Sequence, residues 1–459
     1  MNDELKKQIN QNSLIKLIIL NSSFIIFLSS CSVQKQIAKA ANKDVLDAAP
    51  LKTAHIGISI YEPATNKYWY DYQGDRYFVP ASSIKIPTCY AAMKYLGDSL
   101  VGARTAMADD GALEVYPSAD PTFLNNEFKK QQLFEYLKKF QIIRWNLTEW
   151  KTKQWGYGWS WDDYDEPYMA ERSPFPLYGN LMTFYLSGDT LKAFPAPSFI
   201  QGEHLDSVIN FNNSTHRFKS NRFRLERMID ENAFTVKQSP ESFHNSSIPF
   251  RTEVRFISQL LKDTLKANNV STFTVAPNYT YIPQKETIHS QPTDSVLKPM
   301  MHRSDNFFAE QSLLMVSNEM LGVMNDEKII DTLLKTDFKD LPQKPDWVDG
   351  SGLSRYNLFT PKDLVFILNK MKNEFGMERI NVIFPTGGQG TLANYYIADS
   401  NYIYAKTGTL SGVVALSGYL YTKKGRELIF SVLVNNHQAS GTEVRRAVEQ
   451  FLHGVRNKY

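Results

Sequence analysis

The chain has 459 residues, of which 42% are apolar and 13% aromatic, so it can build more than one hydrophobic core and is not disordered as a whole. Its 51 Lys and Arg against 48 Asp and Glu leave a formal charge of +3, which gives no case for nucleic-acid binding. Two cysteines and eight scattered histidines, without CxxC or HExxH, exclude a disulfide framework and offer no metal-binding pattern, so no metal is expected.

Residues 1–30 are typical of a secretory signal peptide. Three lysines precede an apolar run over 17–28, which is too short to span a bilayer comfortably. Cys31 follows small residues, as in the lipobox of bacterial lipoproteins, where that cysteine becomes the acylated first residue. We therefore predict lipidation at Cys31, a linker over 31–50, and a membrane lipoprotein of the bacterial cell envelope that faces the periplasm. An uncleaved anchor helix, or an ordinary signal with an incidental cysteine, is the alternative.

Periodicity predicts strands near both ends of the chain and helices between them. Alternating apolar residues bounded by turn residues indicate strands, and apolar residues at helical spacing indicate helices. In chain order the predicted elements are strands over 55–61 and 67–72, helices over 83–96, 126–141, 252–267, 304–321 and 361–372, strands over 402–406, 413–421 and 427–434, and a helix over 442–456. Pro87 lacks a backbone donor, so it should lie in an early turn of its helix.

The two ends of the chain are predicted to form one domain around a single sheet, because strands lie at both ends with helices between them. We place its two parts at 51–105 and 291–459. The stretch 106–290 has a different sequence pattern, in which short aromatic-rich strand candidates lie between turn residues. It is therefore predicted to be an insertion with a core of its own.

Three short motifs occur in order along the chain: S-S-I-K at 82–85, S-D-N at 304–306 and K-T-G at 406–408. The S-x-x-K pattern alone has no value, since it occurs elsewhere in this chain. Either of the other two should arise by chance in about one chain in ten of this length. All three in order, each on a suitable element, form a strong signal, and together they are the signature of penicillin-binding proteins and class A β-lactamases.

The residue types of these motifs suit acyl transfer. A serine hydroxyl is a weak nucleophile until a base accepts its proton, and Lys85 lies one helical turn beyond Ser82 on the same face. A lysine acts as a base only if its pKa is lowered, by burial or by a nearby cation such as Lys406. Ser304 can relay the proton to the leaving amine, and the amide of Asn306 can hold the substrate's peptide chain.

Lys406 is predicted to begin the turn after the strand over 402–406, and the K-T-G motif is predicted to bind substrate there. Lys406 is placed to direct a cation at a carboxylate, and Gly408 lets the backbone approach the substrate closely. Backbone N–H groups should form an oxyanion hole, with those of Ser82 and Thr409 as candidates. Taken singly, these residues also have structural explanations, such as a helix cap for Ser82 or a solvated charge for Lys85.

The chain resembles the D-alanyl-D-alanine carboxypeptidase/endopeptidase family, the class C low-molecular-mass penicillin-binding proteins (peptidase family S13). The similarity covers nearly the whole mature chain and is weakest over about 190–290. Beyond the three motifs, it is carried by P-A-S at 80–82, G-W-S-W-D-D at 158–163, D-G-S-G-L-S at 349–354 with Thr360 and Pro361, G-T-L at 390–392, and the strand pair over 406–419.

The resemblance implies an α+β fold, in which an antiparallel sheet is flanked by helices as in penicillin-binding proteins and serine β-lactamases, with a large inserted domain. It implies a serine-type D-Ala-D-Ala carboxypeptidase or DD-endopeptidase that acts on peptidoglycan stem peptides or cross-links and needs no cofactor. Ser82 would be the nucleophile, Lys85 the general base and Ser304 the proton relay. Asn306 would position the acyl donor.

The resemblance also implies how ligands would be held. Lys406 and Thr407 would bind the terminal carboxylate of the peptide, and β-lactam antibiotics would acylate Ser82 as covalent inhibitors. The family uses its insert to contact the third residue of the stem peptide, which points to Asp162 or Asp163. A purely structural role for these two acids is equally open.

Other functions stay open beside this one. A serine β-lactamase is disfavoured, because the long chain between Ser82 and Ser304 is typical of the inserted domains of class C penicillin-binding proteins, and no deacylating Glu motif of class A is evident. A non-catalytic wall-binding lipoprotein predicts the loss of a motif residue, and none is lost. A hydrolase of another amide or ester would be recognised by its substrate profile.

Overall fold

The computed structural model of the protein describes residues 33–188, 190–195, 221–265, 272–275 and 285–459. The predicted signal peptide and Cys31 lie outside these residues. The described strands are β1 (His55–Glu62), β2 (Lys67–Tyr72), β3 (Ser99–Met107), β4 (Leu113–Pro117), β5 (Ile142–Trp145), β6 (Leu181–Ser187), β7 (Thr190–Phe194), β8 (Phe223–Arg227), β9 (Phe234–Gln238), β10 (Asn245–Pro249), β11 (Thr272–Val275), β12 (Glu286–Pro292), β13 (Ile403–Leu410), β14 (Val413–Tyr421) and β15 (Glu427–Asn435). After a helical segment over 33–41, the α-helices are α1 (Lys85–Tyr95), α2 (Gln132–Leu137), α3 (Val254–Leu265), α4 (Asp294–His302), α5 (Asn306–Leu321), α6 (Asp326–Lys335), α7 (Pro361–Ile383) and α8 (Gly441–Lys458).

The first sheet joins the two ends of the chain. Its strand order is β13-β14-β15-β1-β2, and every neighbouring pair is antiparallel. Helices cover both faces, so β15 is apolar on both sides: Ile429 and Leu433 pack with α1, α5 and α7, whereas Phe430 and Val432 pack with α8. The predicted antiparallel sheet flanked by helices is therefore confirmed, and β13 lies at its edge.

The middle of the chain forms further sheets around a separate cluster of buried apolar side chains, which includes Phe184, Phe234 and Leu261. The larger sheet has the order β11-β5-β4-β3-β12, with β5 parallel to both of its neighbours. Strands β10-β6-β7 and the pair β8-β9 form two smaller sheets. Strand β3 belongs to this region, so the predicted boundary between 105 and 106 falls inside that strand, and the division of the chain stays a prediction.

The helix predicted over 126–141 is reduced to α2 in the structure. The side chain of Gln131 accepts a hydrogen bond from Leu124 N and donates to the carbonyl oxygens of Thr122 and Phe128. These bonds hold the preceding residues in turns, an arrangement that competes with helix. After α2 the chain enters β5. The helix predicted from the spacing of apolar residues was therefore too long at both ends.

The remaining helices differ from the prediction mainly in length and number. The range of α7 extends to Ile383, with a kink at Gly376, whose φ of +73° is not helical. Helices α4 and α6 were not predicted. Helix α4 contains Pro299, a residue that normally argues against a helix interior. Pro87 is the third residue of α1, in its first turn as expected. A 3₁₀ turn, Ala81–Ile84, leads directly into α1 and packs against β13 and β14.

Candidate active site

Ser82 lies in the 3₁₀ turn that precedes α1, and it is half-buried. The residue before it, Ala81, has φ of +47°, a left-handed conformation that is strained for a residue with a Cβ. Glycines close around this turn: a Cβ on Gly408 would lie 2.6 Å from Pro80 O, and one on Gly352 would lie 2.0 Å from Ala81 O. The strained turn is therefore held from two sides, by β13 and by the loop that contains Gly352.

Lys85 directs its Nζ at three oxygen atoms. The distances are 3.0 Å to Ser82 Oγ, 2.6 Å to Asn306 Oδ1 and 2.6 Å to the carbonyl oxygen of Ser351. The last two oxygens can only accept hydrogen bonds, whereas a serine hydroxyl can also donate. In a neutral lysine the two N–H groups therefore point to Asn306 and Ser351, and the lone pair points to Ser82. This arrangement places a base against the serine hydroxyl.

The surroundings of Lys85 favour its neutral form. The side chain has no exposed surface, and burial lowers the pKa of its ammonium group from the ordinary 10.5 to about 8. The carboxylates of Asp349, Glu310 and Asp305 act in the opposite direction and raise the pKa. Burial is the larger effect, which is why the pKa falls although three acids lie nearby.

Ser304 and Lys406 form a second hydrogen-bonded pair. Ser304 has φ of +64°, and its Oγ accepts a hydrogen bond of 2.9 Å from Lys406 Nζ, which also donates to Thr407 O at 2.6 Å. Burial, and after it the charge of Lys85, lower the pKa of Lys406 well below its ordinary value. Because Lys406 has no exposed surface, its contact with the exterior runs through Ser304.

These groups lie at a cleft of about 740 Å³. Of the residues singled out from the sequence, Ser82, Ser304, Asn306, Thr407 and Thr409 line it directly. Lys85, Lys406 and Gly408 are buried beneath or beside it, so the structure brings together all the predicted residues within the described ranges. The wall of the cleft also includes Trp159, Asp163, Tyr168, Leu353, Arg355 and Thr391.

A buried acidic network behind Lys85 was missed by the sequence reasoning. Glu310, 1% exposed, accepts a hydrogen bond of 2.8 Å from Ser351 N through Oε1, while its Oε2 lies 3.4 Å from Arg172 Nη1. Burial, and after it the charge of Asp349, raise the pKa of Glu310 to about 7, although Arg172 acts in the opposite direction. One signal was available: Glu310 lies four residues after Asn306, on the same face of α5.

Asp349 organises the loop that supplies the Ser351 carbonyl. Its carboxylate accepts hydrogen bonds from the backbone N–H groups of Gly352 and Ser354, at 2.8 and 2.7 Å, and from Trp159 Nε1 at 3.0 Å. Trp159 belongs to the middle region, so this bond ties the insert to the loop beside the catalytic lysine candidate. The D-G-S-G segment was recognised in the sequence, but no role was assigned to its acid.

Two cations near the K-T-G strand were also missed. Arg445, on α8, donates a hydrogen bond of 2.8 Å to Thr409 Oγ1. Arg355 lines the cleft and donates to Ser411 O at 2.8 Å. Thr407 Oγ1 contacts Thr391 Oγ1 at 2.8 Å. No motif or spacing in the sequence links these arginines to the K-T-G strand, because only the fold brings them to β13.

Gly352→Ala is expected to lower both activity and stability. The residue has φ of +85°, and an added Cβ would lie 2.0 Å from Ala81 O and 3.0 Å from Ser82 N, so the serine turn must move. We expect a loss of about 2–4 kcal/mol in the free energy of unfolding and at least about a hundredfold slower modification of Ser82 by a serine acylating reagent.

Gly425→Ala is the matched control for this variant. Gly425 has φ of +74° but no neighbouring atom within 4 Å, so alanine should cost only about 1 kcal/mol of backbone strain and leave the modification rate unchanged. Urea denaturation and labelling kinetics measure both quantities. Equal effects of the two substitutions on the labelling rate would contradict the steric role of Gly352.

The chain is similar to known proteins along most of its length. The model of the D-Ala-D-Ala carboxypeptidase 3 (S13) family matches residues 34–455. The D-alanyl-D-alanine carboxypeptidase DacB of Haemophilus influenzae is 22% identical, over 93% of this chain and 95% of the relative. A D-alanyl-D-alanine carboxypeptidase of an Actinomadura species is 24% identical, over 86% of this chain and 80% of the relative.

Solved structures show the same fold. The crystal structure of penicillin binding protein 4 (dacB) from Haemophilus influenzae matches with a TM-score of 0.69 at 20% identity, and the match covers 92% of this chain and 98% of that chain. The fold and the family match confirm the resemblance that the motifs indicated. The chain belongs to the D-Ala-D-Ala carboxypeptidase 3 (S13) family.

Proposed function

We propose that this protein is a serine-type D-Ala-D-Ala carboxypeptidase and DD-endopeptidase, which acts on peptidoglycan stem peptides or cross-links through an acyl-enzyme on Ser82. The observation that carries the proposal is the environment of Lys85 Nζ. Two carbonyl-type acceptors and the Ser82 hydroxyl surround it, and its pKa is lowered to about 8. The family match and the carboxypeptidase relatives support the same reaction.

Acylation would begin when Ser82 Oγ gives its proton to neutral Lys85 Nζ and attacks the carbonyl carbon between the last two D-alanines. The carbonyl oxygen becomes an oxyanion, for which the backbone N–H groups of Ser82 and Thr409 are the candidates. A proton then reaches the leaving amine through Ser304, which Lys406 holds at 2.9 Å. The C–N bond breaks, D-alanine leaves, and water later hydrolyses the ester to restore the serine.

The terminal carboxylate of the peptide would bind at the K-T-G strand. Thr407 and Thr409 line the cleft, and the guanidinium group of Arg445 and the amine of Lys406 lie beside and beneath them. Asn306, whose Oδ1 accepts from Lys85, donates through Nδ2 to Tyr168 O, and would position the acyl donor.

The third stem-peptide residue would approach the insert. Asp163 lines the cleft, whereas Asp162 is exposed and accepts a hydrogen bond of 2.8 Å from Ser160 Oγ. We therefore place the contact to that residue at Asp163 rather than at Asp162. A free amino group on the peptide's side chain would suit this carboxylate.

The direct test offers the enzyme a peptide ending in D-Ala-D-Ala, the same peptide ending in L-Ala-L-Ala, and a D-Ala cross-linked dimer. Released alanine and the cleaved dimer are measured by mass spectrometry. We expect turnover of the D,D substrates only. Binding without turnover would favour the wall-binding alternative, and turnover of the L,L peptide would indicate a hydrolase of other amides.

A β-lactam separates the proposed peptidase from the serine β-lactamase alternative. The structure of the Haemophilus influenzae protein complexed with a β-lactam, at a TM-score of 0.65 and 19% identity, supports β-lactam binding by this fold. Benzylpenicillin should add once to this protein, and the adduct should persist for hours in intact-mass spectra. Loss of the adduct within seconds, with release of hydrolysed drug, would identify a β-lactamase.

The acylation rate is expected to rise with pH, to be half-maximal near pH 8 and to level off about one pH unit above it. The pKa of Lys85 is lowered from 10.5 to about 8, and only the neutral amine can accept the proton of Ser82. The neutral fraction at pH 7 is therefore about 10%, against about 0.03% at the ordinary pKa. The second-order rate constant for β-lactam acylation, measured across this range, gives the midpoint. A midpoint above about 9.5 would contradict Lys85 as the base.

We further propose that Cys31 carries lipid and holds the protein on a membrane of the bacterial envelope. Among the described residues, no helix is long and apolar enough to cross a membrane. Fatty-acid labelling in cells tests the proposal, with Cys31→Ala as the comparison. Label that persists in the variant would overturn it, and the fractionation of the labelled protein would distinguish the inner membrane from the outer one.

A further inference from the structure

Three aromatic side chains at the mouth of the cleft are largely exposed. The exposed fractions are 69% for Tyr157, 74% for Trp161 and 57% for Tyr356. Each is next in sequence to a residue that lines the cleft, so the backbone of all three lies at its rim. Exposed aromatic rings that cluster at the mouth of a binding site are candidates for ligand contact, because hydration of their faces is unfavourable.

Two of the three rings, Tyr157 and Tyr356, are held in place by contacts. The rings of Tyr157 and Tyr356 are stacked, with centroids 5.2 Å apart and an interplanar angle of 27°. Gly158 has φ of +76°, and a Cβ there would lie 2.3 Å from Tyr356 Cδ2, so glycine is required for the ring to lie in this place. The hydrogen bond of 3.0 Å from Trp159 to Asp349 fixes the two contributing segments to each other. Preorganised rings bind with a smaller loss of side-chain entropy.

The charge around these rings indicates what they can bind. Asp162, Asp163, Asp165 and Glu166 follow Trp161 directly. Four acids in five positions disfavour an anionic lipid surface or an acidic polymer. An uncharged polyol suits them, because its C–H faces can stack on aromatic rings while its hydroxyl groups donate to carboxylates.

The length of the substrate places sugar near the rim. A five-residue stem peptide spans at most about 17 Å when extended. With its D-alanine end at Ser82, the other end is bonded to a sugar of the glycan strand, a polymer too large for a cleft of about 740 Å³. The glycan strand therefore lies outside the cleft, within reach of its edge.

We infer that Tyr157, Trp161 and Tyr356 form a glycan-binding rim, on which sugar rings of the strand stack while the attached peptide lies in the cleft. The inference rests on the proposed function. Such a rim would give the enzyme a preference for peptides still attached to glycan over free peptides of the same sequence. Stacking that is worth about tenfold in affinity would appear chiefly in KM.

The first experiment measures binding of an uncharged oligomer of β-1,4-linked N-acetylglucosamine by isothermal titration calorimetry, because a peptide-free glycan strand would carry a carboxylate wherever a peptide had been removed. Trp161→Ala and Tyr356→Ala should each weaken binding at least about fivefold, and the double variant should abolish it. Tyr185→Ala, a change at a ring that is 40% exposed on β6, is the matched control and should bind like the wild type. Unaltered binding by the double variant, or no binding by the wild type, would overturn the rim.

The second experiment compares kcat/KM on glycan-linked and on free pentapeptide. The ratio of the two should fall about tenfold in Trp161→Ala through a higher KM on the linked substrate, and should not change in Tyr185→Ala. A wild-type ratio near one would overturn the inference while leaving the peptidase intact. If neither substrate is cleaved although the sugar oligomer still binds, the proposed function is wrong and glycan binding by the rim is retained.

Discussion

Ser82→Ala is expected to abolish covalent labelling by benzylpenicillin and to lower the release of D-alanine at least about ten-thousandfold. The Oγ of Ser82 is the atom that would bond to the acyl group, and alanine leaves Lys85 without a hydroxyl to deprotonate. The substitution removes one half-buried oxygen, so the fold should be retained. Intact-mass spectrometry with drug, and alanine release without it, measure the two effects.

Ser83→Ala is the matched control for this result. Ser83 is adjacent in sequence and fully buried, and among the described residues its Oγ has no hydrogen-bond partner. Removing an unsatisfied buried hydroxyl should leave the protein equally stable or more stable, with labelling unchanged. A penicilloyl adduct that persists in Ser82→Ala, or is lost in Ser83→Ala, would place the nucleophile elsewhere.

Lys85→Met is expected to slow acylation about a thousandfold or more while the protein stays folded. Methionine resembles the lysine stem in shape but offers no nitrogen for the proton of Ser82. Its introduction leaves Ser351 O and Asn306 Oδ1 without this donor, but it also removes an amine that is costly to bury. We therefore expect a change in melting temperature of no more than about 5 °C in either direction.

Lys94→Met is the control for Lys85→Met. Lys94 lies on the same helix, but its side chain is 34% exposed and it pairs with Asp337, away from the cleft. Its loss should leave acylation unchanged and cost about 1–2 kcal/mol of stability, because the side chain of Asp337 is buried but keeps its hydrogen bond of 2.7 Å from the hydroxyl of Tyr95. If Lys85→Met were acylated at the wild-type rate, the base would have to be another group, and Lys406 would be the next candidate.

Strands β14 and β15 of the first sheet were predictable because their pattern is local, whereas the turn predicted from Lys406 on was wrong, since β13 continues to Leu410 through its pairing with β14. Strand β14 was predicted to the residue, and β15 differs by a single residue at its end. Both strands are covered on two faces, so they appear in the sequence as continuous apolar runs. Helix α2 was overestimated because Gln131 satisfies backbone groups that a helix would otherwise use, and such side-chain bonds leave no trace in periodicity.

The sequence by itself determined the order of the three motifs, the family resemblance and the placement of Lys85 one turn after Ser82. Spacing of three residues on a helix is a local property, so it follows from the sequence alone. Only the tertiary structure decided that Lys85 meets Asn306 and the Ser351 carbonyl and that its pKa falls to about 8. A pKa depends on burial and on charges from distant segments, here Glu310 and Asp349, and these are set by how the chain packs.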